Sequence, residues 1–330
     1  MQFDQLKRRE VITLLGGAAA TWPFAARAQQ PTMPVIGFLR SASLVDATPL
    51  VTAFRQGLSE AGFIEGQNVV VEYRSAENDL DQLRALVNEL TRRPVSVIVG
   101  NVIAADAAKA ATTIVPIVFA TGSDPVRDGL VRSLNRPGGN VTGVSFFGGV
   151  LGAKRLEMMR QLVPTAKIMA MLAVPNTPDT EADRKDVVSA AQAVGQQLIV
   201  LDAASGRDIE LAFTRFVQRG AGALLTLGGA FMFSNREWIV ALAARHRLPA
   251  IYTVREFVVA GGLMSYGASI IAAYRQVGIY AGRILKGEKP GDLPIMRSTK
   301  FEFVLNLKTA KALGIAIPPT LLALADEVIE

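Results

Sequence analysis

The residues with chemical potential in this sequence gather in short loops of glycine, hydroxyl and amide side chains. They are Arg40-Ser41-Ala42-Ser43, Gly100-Asn101, Thr121-Gly122-Ser123-Asp124, Pro175-Asn176-Thr177, Gly228-Gly229-Ala230-Phe231, Thr253-Val254-Arg255-Glu256 and Ser265-Tyr266-Gly267. Ser41, Ser43, Asn101, Thr121 and Asn176 supply hydrogen-bonding groups there, and helix N-termini add backbone N–H groups that hold a carboxylate or phosphate. Arg255 can add a bidentate charge. Glu256 or Asp124 can receive an ammonium, and Phe231, Tyr252 and Tyr266 can cover an apolar or aromatic surface. Each residue also has a plainer use. Serine and threonine cap helices, and Asp124 ahead of Pro125 starts a turn. Arg255 and Glu256 can form a solvated pair, while Phe231 and Tyr252 can be core residues.

Catalytic constellations are scarce. The single histidine, His246, lies in Ala243-Ala244-Arg245-His246-Arg247 at the expected end of a helix, where the helix dipole favours a cation. With no cysteine and no nucleophile elbow, the common thiolate metal sites and the Ser/His/Asp and Cys/His arrangements are missing. No phosphate-binding P-loop occurs, and Gly138-Gly139-Asn140-Val141-Thr142-Gly143 leads into a strand, the wrong setting for a dinucleotide fingerprint. No cofactor or metal is implied. A carboxylate-based enzyme remains the alternative to a binding protein.

The elements that must position these loops alternate between short β-branched runs and segments of helical periodicity, the pattern of βα units feeding parallel sheets. One series of strands is expected at Val35–Leu39, Val69–Tyr73, Val95–Val99, Ile117–Phe119 and Val141–Phe146. A second is expected at Ile168–Val174, Leu198–Leu201, Ala223–Leu227, Ala250–Tyr252 and Leu263–Ser265. Between them, Leu80, Leu83, Leu86, Val87 and Leu90 make one helical stripe. The series resemble each other: the path from Asp79-Leu80 to the strand ending at Gly100 parallels that from Asp208-Ile209 to Gly228. Generic βα grammar can produce the same likeness. The expected fold is α/β, with two similar Rossmann-like lobes of parallel sheet joined by a hinge. Because ligands bind beyond the carboxyl ends of parallel strands, the loops above would face a cleft between the lobes.

The first 28 residues read as an export signal. A basic stretch with Arg8-Arg9 precedes an apolar run from Val11 to Ala20 and a small-residue site at Ala26-Arg27-Ala28, the order of a cleavable twin-arginine signal. The remainder of the 330-residue chain has room for two lobes. The formal charge of +6 falls to +4 without residues 1–28, which carry four basic and two acidic side chains. That modest, dispersed excess gives no support to nucleic-acid binding. No later stretch offers the about 20 apolar residues of a membrane span.

Several segments match a known family. They include Arg8-Arg9-Glu10-Val11-Ile12, Val35-Ile36-Gly37-Phe38-Leu39, Phe54-Arg55-Gln56-Gly57-Leu58 and Pro116-Ile117-Val118-Phe119-Ala120-Thr121. Arg136-Pro137-Gly138-Gly139-Asn140-Val141-Thr142-Gly143 and Gly262-Leu263-Met264-Ser265-Tyr266-Gly267 are the most specific, and Lys300 to Ala310 closes the match. On these the chain resembles the ABC-transporter substrate-binding proteins of the tryptophan/tyrosine-binding type, which have the type I periplasmic binding protein fold. The resemblance implies a soluble periplasmic receptor that closes on a small carboxylate-bearing ligand, an amino acid or an aromatic acid. It also implies delivery to an inner-membrane ABC permease, by a monomer or weak homodimer. The lobes expected are 33–145 with about 267–298, and 146–266 with about 299–330.

Overall fold

The computed structural model describes residues 33–146, 151–176, 178–298 and 301–330. The export signal expected over residues 1–28, and Thr177, lie outside the described residues.

The first strands are β1 (Val35–Arg40), β2 (Val70–Ser75), β3 (Val97–Asn101), β4 (Ile117–Thr121) and β5 (Val141–Ser145). With the late strand β11 (Met296–Arg297) they form a parallel sheet in the order β11-β5-β4-β3-β1-β2. Alternate residues of each strand enter different clusters. Ile36, Phe38, Val97, Val99 and Val118 join one, while Leu39, Ile98, Ile117 and Phe119 join the other. Both faces are therefore buried, which is why these strands read as unbroken apolar runs. Helices α1 (Thr48–Glu60) and α10 (Ile270–Leu285) supply one face, and α2 (Leu80–Arg92) and α3 (Val102–Ala111) the other. Of the expected α2 stripe, Leu83, Val87 and Leu90 are buried, but Leu80 in its first turn is exposed. Helices α1 and α10 pack in close contact through glycines: a Cβ on Gly57 would lie 1.7 Å from the Arg275 carbonyl oxygen, and one on Gly278 2.1 Å from that of Phe54.

The second sheet is ordered β13-β12-β10-β9-β8-β6-β7. Its strands are β6 (Ile168–Ala173), β7 (Gln197–Asp202), β8 (Ala223–Thr226), β9 (Ala250–Tyr252), β10 (Met264–Ala268), β12 (Phe301–Asn306) and β13 (Glu327–Ile329). It is not wholly parallel, because β12 returns antiparallel to β10. One face carries α4 (Leu151–Leu162), α5 (Pro178–Ala193), α11 (Leu307–Leu313) and α12 (Pro319–Leu324). The other carries α6 (Gly206–Gln218), α7 (Ala230–Ser234), α8 (Arg236–Arg245) and α9 (Glu256–Val259). His246 is the C-cap of α8, as expected, and its ring stacks on Phe213 at 6.1 Å between centroids. The chain passes between the sheets after β5, after β10, and between β11 and β12.

No helix among the described residues is long and apolar enough to cross a membrane.

Candidate functional site

Strands β1, β3, β4 and β5 end at Arg40, Asn101, Thr121 and Ser145, and β8, β9 and β10 end at Thr226, Tyr252 and Ala268. The loops beyond both sets of strands border one cleft, which holds about 850 Å³ of space not filled by atoms and is partly open to solvent. From the first sheet come Arg40, Asn101, Gly122 and Phe146, together with Leu50 and Tyr274 from α1 and α10. From the second come Arg155, Asp183, Gly229, Phe233, Val254 and Phe257. Gly267 closes the seam: a Cβ there would sit 1.8 Å from the Thr253 carbonyl oxygen, so only glycine lets β10 run this near the β9 loop.

Arg40 dominates the polar chemistry. Its guanidinium carries a positive charge, yet the residue is only 1 % exposed. Nη1 donates a long 3.4 Å hydrogen bond to the Tyr274 hydroxyl. Nε and Nη2 have no partner among the described residues. Burying an unpaired charge is expensive, which sets Arg40 apart from the other polar groups on the cleft wall. Arg155 is the contrasting case. It is equally buried, but Nη2 lies 2.5 Å from Asp183 Oδ2 and Nη1 donates to the Tyr266 carbonyl at 3.2 Å.

The residues expected from the sequence are scattered around this core. Asn101 reaches the cleft, but its amide is already engaged. Oδ1 accepts from the Ser41 backbone N–H at 3.0 Å and Nδ2 donates to the Ser41 hydroxyl at 2.9 Å, so Ser41 and Asn101 fix the loop that follows Arg40. Thr121 is fully buried, with its hydroxyl 2.8 Å from that of Ser123. Asp124 accepts from the backbone N–H groups of Val126 and Arg127, the turn-starting use. Ser43 accepts from Val45 N–H at 3.3 Å.

Asn176, with a left-handed φ of 54°, and Phe231 border an outer groove beside the cleft. Tyr252 is core: its ring stacks on Phe257 with centroids 4.7 Å apart, burial holds its phenol above the ordinary tyrosine range, and Phe257 is the ring that reaches the cleft. Arg255 binds both oxygens of Glu327 at 2.7 Å near the surface. Glu256 is buried outside the cleft wall, and neither carboxyl oxygen has a partner among the described residues. That burial raises its pKa. The Tyr266 ring packs on Phe301 and Phe303, and its carbonyl serves Arg155.

Reasoning from sequence missed Arg155, Asp183, Tyr274, Phe233 and Phe257, and it named the Arg40 loop without choosing Arg40 itself. Arg40 had a signal, because a charged residue that ends an otherwise apolar strand stands at the ligand-binding edge of a parallel sheet. Arg155 and Asp183 lie within α4 and α5, where nothing in their spacing sets them apart from solvated helix charges.

The cleft lies between the two sheets, and the fold that builds it recurs in known proteins. Residues 35–329 match the family described as ABC transporter substrate binding protein. A tyrosine-binding protein of Clostridioides difficile is 24 % identical over 265 residues, covering 79 % of this chain and 75 % of the relative. An ABC domain from Streptococcus pneumonia solved in complex with L-Trp superimposes with a TM-score of 0.81 at 25 % identity, covering 90 % of this chain and 99 % of that one. A solute-binding protein of Bacillus halodurans with bound myo-inositol shares the fold at 14 % identity, with a TM-score of 0.56 over 86 % of this chain and 98 % of the other. The fold is that of the type I periplasmic binding proteins, and the family is one of solute-binding proteins rather than of enzymes. From the cleft and these likenesses together, the chain belongs to the ABC transporter substrate-binding protein family.

Proposed function

We propose that this chain is an exported receptor that captures a small carboxylate-bearing solute between two hinged lobes and delivers it to an inner-membrane ABC permease. The observation that carries the reading is Arg40, a buried guanidinium on the cleft wall with Nε and Nη2 unpaired among the described residues. Those two nitrogens match the two oxygens of a carboxylate. Apolar walls from Leu50, Phe146, Phe233, Val254 and Phe257 suit a ligand body that is itself apolar or aromatic. The tyrosine and L-Trp named for the relatives fit that description, and so do aromatic acids.

The crossings of the chain between the two sheets support a division into one lobe of 33–145 with about 267–298 and another of 146–266 with about 299–330. Closure is supported by a contact between them, since Arg236 of α8 donates to the Asp46 carbonyl at 2.8 Å. Arg8-Arg9 and Ala26-Arg27-Ala28 support export through the twin-arginine route and cleavage near Ala28, giving a periplasmic protein.

A thermal-shift screen of the mature protein, from Gln29 onward, against amino acids, aromatic acids and sugars tests the reading. A ligand at a hundred times its Kd is expected to stabilise by about 2.7 kcal/mol. Absence of a shift with every small solute, together with turnover of any of them, contradicts it.

A further inference from the structure

We infer that Asp183 is the specificity-determining residue of the cleft: it accepts the ammonium of an amino acid whose carboxylate rests on Arg40, so that each lobe reads one charged end of the ligand. This rests on the receptor reading above and assigns the ligand's second charge within it.

Among the described residues Asp183 is the sole carboxylate on the cleft wall, which also carries Arg40 and Arg155. Its two oxygens are unequal. Oδ2 accepts from Arg155 Nη2 at 2.5 Å, while no hydrogen bond from the described residues reaches Oδ1. A carboxylate has about four lone-pair sites over its two oxygens, so one guanidinium nitrogen leaves room for a second cation. The accessible member of the pair is Asp183, whose side chain is 17 % exposed against 3 % for Arg155. Arg155 is pinned from its other side, because Nη1 donates to the Tyr266 carbonyl at 3.2 Å. Asp183 is therefore held by a fixed partner, and the ion pair shows the cleft its negative end.

The alternatives on the wall match an ammonium less well. Asn101 Oδ1 already accepts from the Ser41 N–H, and the Thr253 hydroxyl is uncharged. Glu256 has unpaired oxygens, but it is not part of the cleft wall. An ammonium that leaves water needs an anionic partner, and a charge-assisted bond to Asp183 Oδ1 supplies it. The placement of the two charges has a further consequence. Arg40 ends β1 of the first sheet, whereas Asp183 lies in α5 on the second. A ligand with both charged ends is gripped from both sides and favours closure, whereas one with a carboxylate alone is gripped only from the side of Arg40. Discrimination against the des-amino acid then comes from an attraction at Asp183 that the amino acid alone can use.

The experiment is calorimetric titration of the mature protein with matched pairs: L-phenylalanine and 3-phenylpropanoate, L-tyrosine and 3-(4-hydroxyphenyl)propanoate, L-tryptophan and indole-3-propanoate. At least one amino acid is expected to bind tenfold or more tightly than its des-amino partner. Asp183→Asn is expected to weaken that amino acid and to leave the des-amino acid as tight or tighter, so that the preference falls to about threefold or less. A merely structural role for Asp183 would weaken both ligands together. Melting curves establish that the variant folds. The double variant Arg155→Met with Asp183→Asn removes both charges of the pair, and it is expected to lose the preference in the same way if the single variant does not fold. A des-amino acid that binds the wild type as tightly as its amino acid in every pair overturns the inference while the receptor reading stands. So does a folded variant that keeps the wild-type preference, because the ammonium is then read elsewhere. Binding of none of the six also overturns the inference, and the wider solute screen then decides the receptor reading on its own.

Discussion

Arg40→Met separates a binding residue from a structural one, because the two roles change stability in opposite directions. The Arg40 guanidinium is buried with one 3.4 Å hydrogen bond to Tyr274 and no partner for Nε or Nη2 among the described residues. A buried polar group left unsatisfied costs about 1–3 kcal/mol, and a charged one more. Methionine keeps much of the length and the apolar stem while removing the charge, so the variant should gain about 2 kcal/mol. With about 2 °C per kcal/mol for a chain of this size, the ligand-free melting temperature should rise by about 4 °C. Ligand reverses the order. At a hundred times Kd the wild type gains about 2.7 kcal/mol and the variant gains almost nothing. Differential scanning calorimetry of both proteins, with and without the tightest carboxylate found in the solute screen, reads all four states. If Arg40→Met melts lower than wild type without ligand, or keeps the ligand-induced shift, the account of Arg40 as an anion anchor held at a cost to stability is refuted.

Glu256 gives a pH test. Burial, the largest influence, raises its pKa, so the folded protein binds more protons than the unfolded chain between the ordinary carboxyl value and the raised one. Stability should therefore fall as pH rises through that window, and Glu256→Gln should flatten the fall. Equal slopes in melts taken between about pH 4 and 8 would contradict this. Gly57→Ala drives a methyl against the Arg275 carbonyl oxygen and should cost about 3 kcal/mol through the α1–α10 contact, measured by denaturant unfolding. Arg236→Ala removes the bond to the Asp46 carbonyl between lobes, and should weaken ligand binding about fivefold with little change in the ligand's own contacts. Unchanged affinity would show that this contact does not help hold the lobes together. Replacing Arg8 and Arg9 with lysine should retain the precursor in the cytoplasm, measured by fractionation, and normal export would point to the general secretory route.

The sheets were legible because both faces of each are covered, so β1, β3, β4, β6 and β8 read as short apolar runs ending at small or polar residues. Errors fell where that logic weakens. The tail strand β12 runs antiparallel to β10 and carries Glu302 between Phe301 and Phe303, and it was not among the expected strands. Leu80 continues the α2 stripe in spacing but lies in the first turn and is exposed.

The site was legible as a set of loops and not as a set of side chains. Which of several loop residues faces a ligand depends on small rotations about the strand ends. Tyr252 and Phe257 illustrate this: they stack on each other, and only Phe257 meets the cleft. Asn101, expected as a ligand contact, lines the cleft, and its amide also braces Ser41. Arg155 and Asp183 come together only through the packing of α4 on α5, 28 residues apart, which no local pattern reveals.

A crystal structure of the mature protein with its tightest carboxylate tests the central claim most directly. The account predicts the carboxylate on Arg40, with Nε and Nη2 each about 2.7–2.9 Å from one oxygen, and the apolar body enclosed by residues of both lobes. A ligand held elsewhere, or one whose carboxylate turns away from Arg40 to other donors, would contradict it.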